Sequence, residues 1–160
     1  MGAAIVRVMP NTPAAVRRGI SGAIGNANVS SAQRDVCSLL IEAVSELHWL
    51  ENESQIDAVT AISGSGPAYV FLLAECLAEA GRKLGLSDKL AERLGRVTVS
   101  GSGELLYRSD ADVVTLRQNV TSEGGTTEAA LNTLMAKDGL QVLMDQAVKR
   151  AADRSKELAG

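Results

Sequence analysis

The sequence predicts a mainly α fold preceded by a short α/β stretch. Three observations carry this. From about residue 53 onward, apolar residues recur only at helical spacing. Before that point, residues 5–51 read strand, strand, helix, strand. Aromatic residues are nearly absent: Trp49, Tyr69, Phe71 and Tyr107 are the only ones among 160 residues. Any core therefore rests on Ala, Leu, Val and Ile, which suits helices packed at close range.

The elements follow in order. Ile5-Val-Arg-Val-Met9 is a β-branched run and reads as a strand. Pro10-Asn-Thr-Pro13 breaks it. Ser21 to Gly25 can form a second short strand. Ser30-Ser-Ala-Gln33 fits a capping box, and Val36, Leu39, Leu40, Ala43, Val44 and Leu47 follow at helical spacing. Trp49-Leu50 can be a third short strand. These few elements do not complete an α/β layer, which needs more strands and covering helices.

Beyond residue 53, Pro67 is placed as the first residue of a helix. Tyr69, Leu73, Cys76, Leu77, Ala80 and Leu84 repeat on one face of it. Gly85 ends that helix, and Ser87 or Asp88 caps the next, carried by Leu90, Leu94, Val97 and Leu105. Gly95, Gly101 and Gly103 lie inside this second helix. Each costs about 1 kcal/mol against Ala, which implies a close helix approach or a kink. A short helix spans about 112–119 and another about 127–136. Asp138 and Gln141 can cap the last, striped by Leu140, Leu143, Met144, Ala147 and Ala151. Helices with so few bulky residues make a thin bundle whose apolar faces need a partner chain, so a homodimer is expected.

Composition narrows the function classes. Hydrophobic residues make up 46% and charged residues 22%, as in an ordinary soluble globule. The net charge of −3 leaves no basic footprint for nucleic acid. Cys37 and Cys76 each fall in an apolar helical pattern and read as small buried hydrophobes. His48 is the single histidine, set at a helix end, so no Cys/His metal site is expected. With no signal peptide and no apolar span read as long enough for a membrane, the expected location is the cytoplasm.

Two glycine-rich motifs invite nucleotide readings and fail them. Ser63-Gly-Ser-Gly-Pro-Ala-Tyr69 has Tyr69 where a dinucleotide fingerprint needs its third glycine, and a helix precedes it. Gly101-Ser-Gly103 fails likewise. The more telling stretch is Asn119-Val-Thr-Ser-Glu-Gly-Gly-Thr-Thr-Glu-Ala-Ala-Leu131, a flexible loop feeding a helix N-terminus. The first amides of a helix lack internal partners and its dipole makes that end partly positive. Such an end can hold a carboxylate or phosphate, and glycines allow close approach. Hydroxyls at Thr121, Ser122, Thr126 and Thr127 can add donors. A plainer reading has Gly-Gly ending one helix and Thr126 capping the next.

Three segments together resemble one family. Val8-Met-Pro-Asn-Thr-Pro13, Ile56-Asp-Ala-Val-Thr-Ala-Ile-Ser-Gly-Ser-Gly-Pro-Ala-Tyr69 and Val120-Thr-Ser-Glu-Gly-Gly-Thr-Thr127 are similar, in order and spacing, to Δ1-pyrroline-5-carboxylate reductase, the last enzyme of proline synthesis. The resemblance covers essentially the whole chain. It implies a Rossmann-type domain that binds NADPH or NADH, then an all-helical dimerisation domain, with rings of dimers also formed. Here residues 1–52 resemble only the C-terminal remnant of the Rossmann-type domain, and residues 53–160 the helical dimerisation and substrate-loop domain. The glycine-rich first βα unit is not in these residues, so the 160-residue chain alone is expected to be inactive. The other reading is a non-catalytic dimerisation module that joins a full-length reductase.

The resemblance also implies roles. Val120, Ser122, Gly124, Gly125, Thr126 and Thr127 form the substrate loop, with the amides of Thr126 and Thr127 and Ser122 on the carboxylate of 1-pyrroline-5-carboxylate or L-proline. The Thr127 hydroxyl reaches the ring nitrogen as the catalytic donor. Glu53 lies near the substrate. Asn119 touches the cofactor, as do Met9, Asn11 and Thr12 in a turn near the nicotinamide. No metal is implied. Two residues depart from the family pattern, Glu123 in place of Pro and Gln118 in place of an acid.

Overall fold

The computed structural model describes residues 2–159. It is mainly helical with a small three-stranded sheet. The chain forms two compact units, one of Met1–Ala68 with Ala147–Gly160 and one of Tyr69–Gln146.

In the first unit, strand β1 (Val6–Met9) runs antiparallel to β2 (Gly19–Gly25), and β2 runs parallel to β3 (Ser45–Trp49). One turn of 3-10 helix, Thr12–Val16, joins β1 to β2. Helix α1 (Ser31–Glu42) is the crossover from β2 to β3. It starts as expected: Ser30 Oγ accepts the Gln33 N–H at 3.3 Å and Gln33 Oε1 accepts the Ser30 N–H at 2.9 Å. It stops earlier than its apolar spacing suggests. Val44 and Leu47 lie beyond it, because Ser45–Trp49 pairs with Gly19–Ala23 in the sheet. Short apolar runs fit both periodicities, and here the ladder wins. His48 accordingly stands on β3, exposed, rather than at a helix end. Beside it, Trp49 donates its indole N–H to Ser38 Oγ at 3.0 Å and lies under Arg34, 4.3 Å from ring centroid to guanidinium.

Helix α2 (Gln55–Val59) packs on the sheet. The middle of β2 permits this because it is Ser21-Gly22-Ala23, all buried. A Cβ on Gly22 would stand 3.0 Å from a Val59 methyl, so a larger residue there would push the helix or Val59 outward by a few tenths of an ångström. Ile56 is the largest fully buried side chain, and its burial contributes roughly 1.5–3 kcal/mol. The Ser21 and Ser45 hydroxyls hydrogen-bond each other at 2.9 Å inside the sheet. After α2 the chain makes one π-helical turn, Thr60–Gly64, in which the Ser65 N–H reaches back to the Thr60 carbonyl at 2.8 Å. Helix α3 (Gly66–Lys83) continues from it, so Pro67 is its second residue. The end of helix α7 (Leu140–Ala159) also belongs to this unit, where Ser155 Oγ donates to Asp57 Oδ1 at 2.6 Å.

In the second unit, α3 turns through Gly85, at φ +92, into α4 (Asp88–Arg108), N-capped by Ser87. Arg82 pairs with Glu79 on its own helix and with Asp88 and Glu92 across this turn. The α4 glycines divide in role. A Cβ on Gly95 would meet the Ala74 carbonyl at 2.6 Å, so Gly95 is where α3 and α4 touch, while Gly101 and Gly103 face open space. Helix α5 (Val113–Asn119) begins at Asp112, whose carboxylate accepts the Thr115 N–H and hydroxyl, both at 2.9 Å. Helix α6 (Thr126–Leu134) is shorter than its pattern, and at α7 Gln141 donates to Asp145 rather than capping the helix start with Asp138.

The expected thin bundle does not close on itself. Buried residues on α4 are Ala91 and Gly95, and α5, α6 and α7 have none among the described residues. Leu39, Phe71, Leu143 and Leu158 are each more than 60% exposed, and Cys76, expected to be buried, is exposed. The reading that no apolar span is long enough for a membrane is corrected as well. Gln55–Lys83 runs as one helical stretch of 29 residues, apolar and long enough by length and composition to cross a bilayer, with 11% of that window buried. The sequence conceals it because Ser63-Gly-Ser-Gly-Pro67 looks like a break, whereas the backbone passes through it as a π-turn.

Candidate substrate loop and cofactor turn

The stretch Asn119–Thr127 is a tight, internally bonded loop. Asn119 is the last residue of α5, and Val120 follows, exposed. The Thr121 N–H bonds the Gln118 carbonyl at 2.9 Å and its hydroxyl donates to the Arg117 carbonyl at 2.7 Å, which finishes α5. Arg117 also reaches the Met135 sulfur at 3.3 Å, tying the start of the loop to the end of α6.

Ser122 to Gly125 then form a turn closed by the Gly125 N–H on the Ser122 carbonyl at 3.0 Å. Gly124 has φ +68, the left-handed region where a side chain is disfavoured. A Cβ on Gly125 would collide with Ser122. Both glycines are thus required by the turn itself. Their amides are also committed, that of Gly125 to Ser122 and that of Gly124 to Glu128 Oε2 at 2.8 Å.

Gly125 is the N-cap of α6, in extended conformation, so Thr126 is not the cap but the first helical residue and Thr127 the second. The first amide to bond within the helix is that of Ala129, to the Gly125 carbonyl at 3.2 Å. The amides of Thr126 and Thr127 precede it and have no partner in the helical ladder. Thr126 is exposed and Thr127 half-buried; Ser122, Glu123 and Gln118 are exposed. Glu128, in the first helical turn, suits the positive end of the helix dipole.

The other expected residues lie in the first unit. Met9 ends β1, half-buried, and Asn11 and Thr12 follow in the turn. Asn11 Oδ1 accepts the Ile20 N–H at 3.0 Å, which fixes the turn against β2. Glu53 is exposed and its carboxylate accepts from Arg7 Nη1 at 2.5 Å. Met9, Asn11, Thr12 and Glu53 thus share one strand end through Arg7, two residues before Met9. Asn119, Val120, Ser122, Gly124, Gly125, Thr126 and Thr127 share one loop.

Sequence reasoning missed two participants. Arg7 shares a face of β1 with Met9, since side chains two apart on a strand point the same way. Glu128 stands where a first-turn carboxylate commonly reaches back to loop amides. No group of three or more His, Cys, Asp or Glu able to hold a metal occurs among the described residues.

A short α/β part followed by long helices with uncovered apolar faces defines a mainly helical protein with a small mixed sheet at its start. Residues 53–158 match the family described as Pyrroline-5-carboxylate reductase dimerisation. The pyrroline-5-carboxylate reductase of Pseudomonas aeruginosa is 49% identical over 155 residues, covering 97% of this chain and 56% of that protein. That of Haemophilus influenzae is 40% identical, covering 96% and 57%. Among solved structures, a pyrroline-5-carboxylate reductase from Coxiella burnetii superposes with a TM-score of 0.90 at 43% identity, covering 98% of this chain and 57% of that one. The Plasmodium falciparum pyrroline carboxylate reductase with NADP bound gives 0.82 at 38% identity, covering 98% and 62%. The chain belongs to the pyrroline-5-carboxylate reductase family. It spans a little over half the length of these relatives.

Proposed function

We propose that this chain is the substrate-loop and dimerisation portion of an NAD(P)H-dependent reductase that converts 1-pyrroline-5-carboxylate to L-proline. The observation that carries this is the Ser122–Gly125 turn, which delivers Thr126 and Thr127 as the first two residues of α6 with amides outside the helical ladder. A small carboxylate fits such a helix start. The Thr126 and Thr127 amides and the Ser122 hydroxyl hold it, and Gly124 and Gly125 shape the turn while Val120 leads into it. The Thr127 hydroxyl donates to the ring nitrogen, the atom that must gain a proton when the C=N carbon is reduced. Glu53, held by Arg7, stands near the substrate.

When bound, the nicotinamide cofactor supplies the hydride. Met9, Asn11 and Thr12 fit its nicotinamide end. Met9 offers an apolar surface, and Asn11, its carbonyl already fixed by Ile20, keeps its amide NH₂ to donate. Asn119 is a further cofactor contact. The phosphates call for a glycine-rich βα turn, and these 160 residues contain none, so the isolated chain does not turn over.

The division at residues 1–52 and 53–160 follows the same reading. The exposed apolar helices, including Gln55–Lys83, are the surface of a cytoplasmic homodimer, able to build larger rings, rather than a membrane span.

Titration of the ¹⁵N-labelled chain with L-proline tests the loop. Shifts concentrated at the Thr126 and Thr127 amides are expected, weakened in Thr127→Val. A loop that does not respond sinks the substrate assignment. NADPH oxidation by the pure chain with pyrroline-5-carboxylate would sink the claim that it does not turn over alone.

A further inference from the structure

The Ser63-Gly-Ser-Gly66 segment has no part in the chemistry above, yet it overlaps a π-helical turn. The π-turn Thr60–Gly64 inserts a residue into what would otherwise be one continuous helix. Two hydroxyls flank the insertion, Thr60 Oγ1 donating to the Ile56 carbonyl at 2.8 Å and Ser63 Oγ to the Val59 carbonyl at 3.0 Å. Hydroxyl bonds of this kind loosen and bend a helix, and single π-turns are frequent at functional sites.

The turn presents a gap. A Cβ on Gly64 would stand 2.5 Å from Met9 Cε, whereas one on Gly66 would meet nothing within 4 Å. The Met9 thioether therefore fills the space where a Gly64 side chain would be. Its cross-strand partner Gly22 turns the same face to Val59. Two residues earlier on that face, Arg7 is held by Glu53. The segment 53–64 grips β1 at two points, and Gly64 sets the second.

We infer that Gly64 and its π-turn are the seat of Met9, so that Gly64 is a positioning residue for the turn Met9–Thr12. The functional consequence rests on the proposal that this turn faces the nicotinamide. The atom a new Cβ would strike is the tip of a flexible side chain, so Gly64→Ala displaces Met9 without blocking the fold.

The test uses the 160-residue chain with ¹³C-methyl methionine and ¹⁵N labels. A nuclear Overhauser effect between the Met9 methyl and the Gly64 α-protons is expected. Gly64→Ala should shift the Met9 methyl and the Asn11, Thr12 and Ile20 amides, leaving Thr126 and Thr127 in place. Adding Met9→Val, which removes the clashing tip, should return those amides toward their original positions. An unmoved turn in Gly64→Ala, or no rescue, overturns the inference. Should Gly64→Ala fail to fold, Met9→Val alone must move the same amides, and their staying put overturns it equally. Saturation transfer to the Met9 methyl from reduced nicotinamide mononucleotide, which needs no glycine-rich turn for a pyrophosphate, reads the cofactor assignment separately: its absence with the seat intact sinks that assignment and leaves the seat standing.

Discussion

Ser155, near the end of α7, donates its hydroxyl to the Asp57 carboxylate in α2 at 2.6 Å. The two residues lie 98 positions apart in sequence. Both are half-buried, and α2 packs on β2. The last turns of the chain therefore brace its first unit. Ser155→Ala should cost about 1.5–3 kcal/mol, as for a hydrogen bond to a charged group. Chemical denaturation measures the loss, and faster amide exchange across Ile56–Val59 would locate it. A variant as stable as the parent would show the bond to be ornamental.

The substrate loop is held from inside by Glu128. Glu128→Ala removes the acceptor of the Gly124 N–H and should speed exchange of that amide. It should also weaken the L-proline response at Thr126 and Thr127, while Glu128→Gln, which keeps an acceptor oxygen, should preserve both. Gly124→Ala forces a side chain to φ +68, a strain of roughly 1–2 kcal/mol. Exchange rates equal in all three variants would count against a braced loop.

The uncovered apolar helices should associate. Sedimentation of the chain should show a dimer, with a melting temperature that rises with concentration. Phe71→Asp, on the exposed face of α3, should weaken the dimer at least about tenfold, or 1.4 kcal/mol. A stable monomer at all concentrations would refute the dimer surface.

Two exposed carboxylates give acid a local effect. The Thr115 backbone N–H, then its hydroxyl, hold Asp112 below the ordinary carboxylate pKa. The Lys149 ammonium does the same for Asp153. A folded-state pKa below the unfolded one means stability that is present above the unfolded value and lost as pH falls through the folded value. Acidification should therefore fray the start of α5 and the middle of α7, seen as loss of amide protection at Thr115 and around Asp153. Asp112→Asn should remove that acid response at α5 while keeping an acceptor at the cap. An acid response at Thr115 unchanged in Asp112→Asn would refute this.

The helix start at Ser30 offers a cleaner stability probe. Ser30→Ala breaks one arm of the capping box and should cost about 1 kcal/mol, read by denaturation. No change would mean Gln33 alone suffices.

Much of the fold could be read from local chemistry. The Ser30 cap, the Gly85 stop and the Asp112 start each rest on neighbours within a few residues. What escaped depends on contacts far apart in sequence. Ser45–Leu47 reads as helix until its pairing with Gly19–Ser21 is known. The π-turn at Thr60–Gly64 hides because Gly and Pro there look like a break, and its partner Met9 is distant. The loop was legible as a glycine turn into a helix, but not the use of its glycine amides by Ser122 and Glu128. The thin core, and the need of its apolar faces for a partner chain, follow from the shortage of aromatics; the exposure of Cys76 does not, since its apolar helical spacing reads equally as a core position.

The buried hydroxyl pair of Ser21 and Ser45 has a bearing on assembly errors. Sliding β3 by one residue along β2 would turn every side chain of β3 to the opposite face and part the two hydroxyls, which lie 2.9 Å from each other in the native alignment. On the β2 side of this seam Ser21, Gly22 and Ala23 have little bulk with which to tell one alignment of Leu47, His48 and Trp49 from the next. The two oxygens act as a key and its ward for the parallel seam of β2, the strand whose Ile20 amide also holds the turn at Asn11.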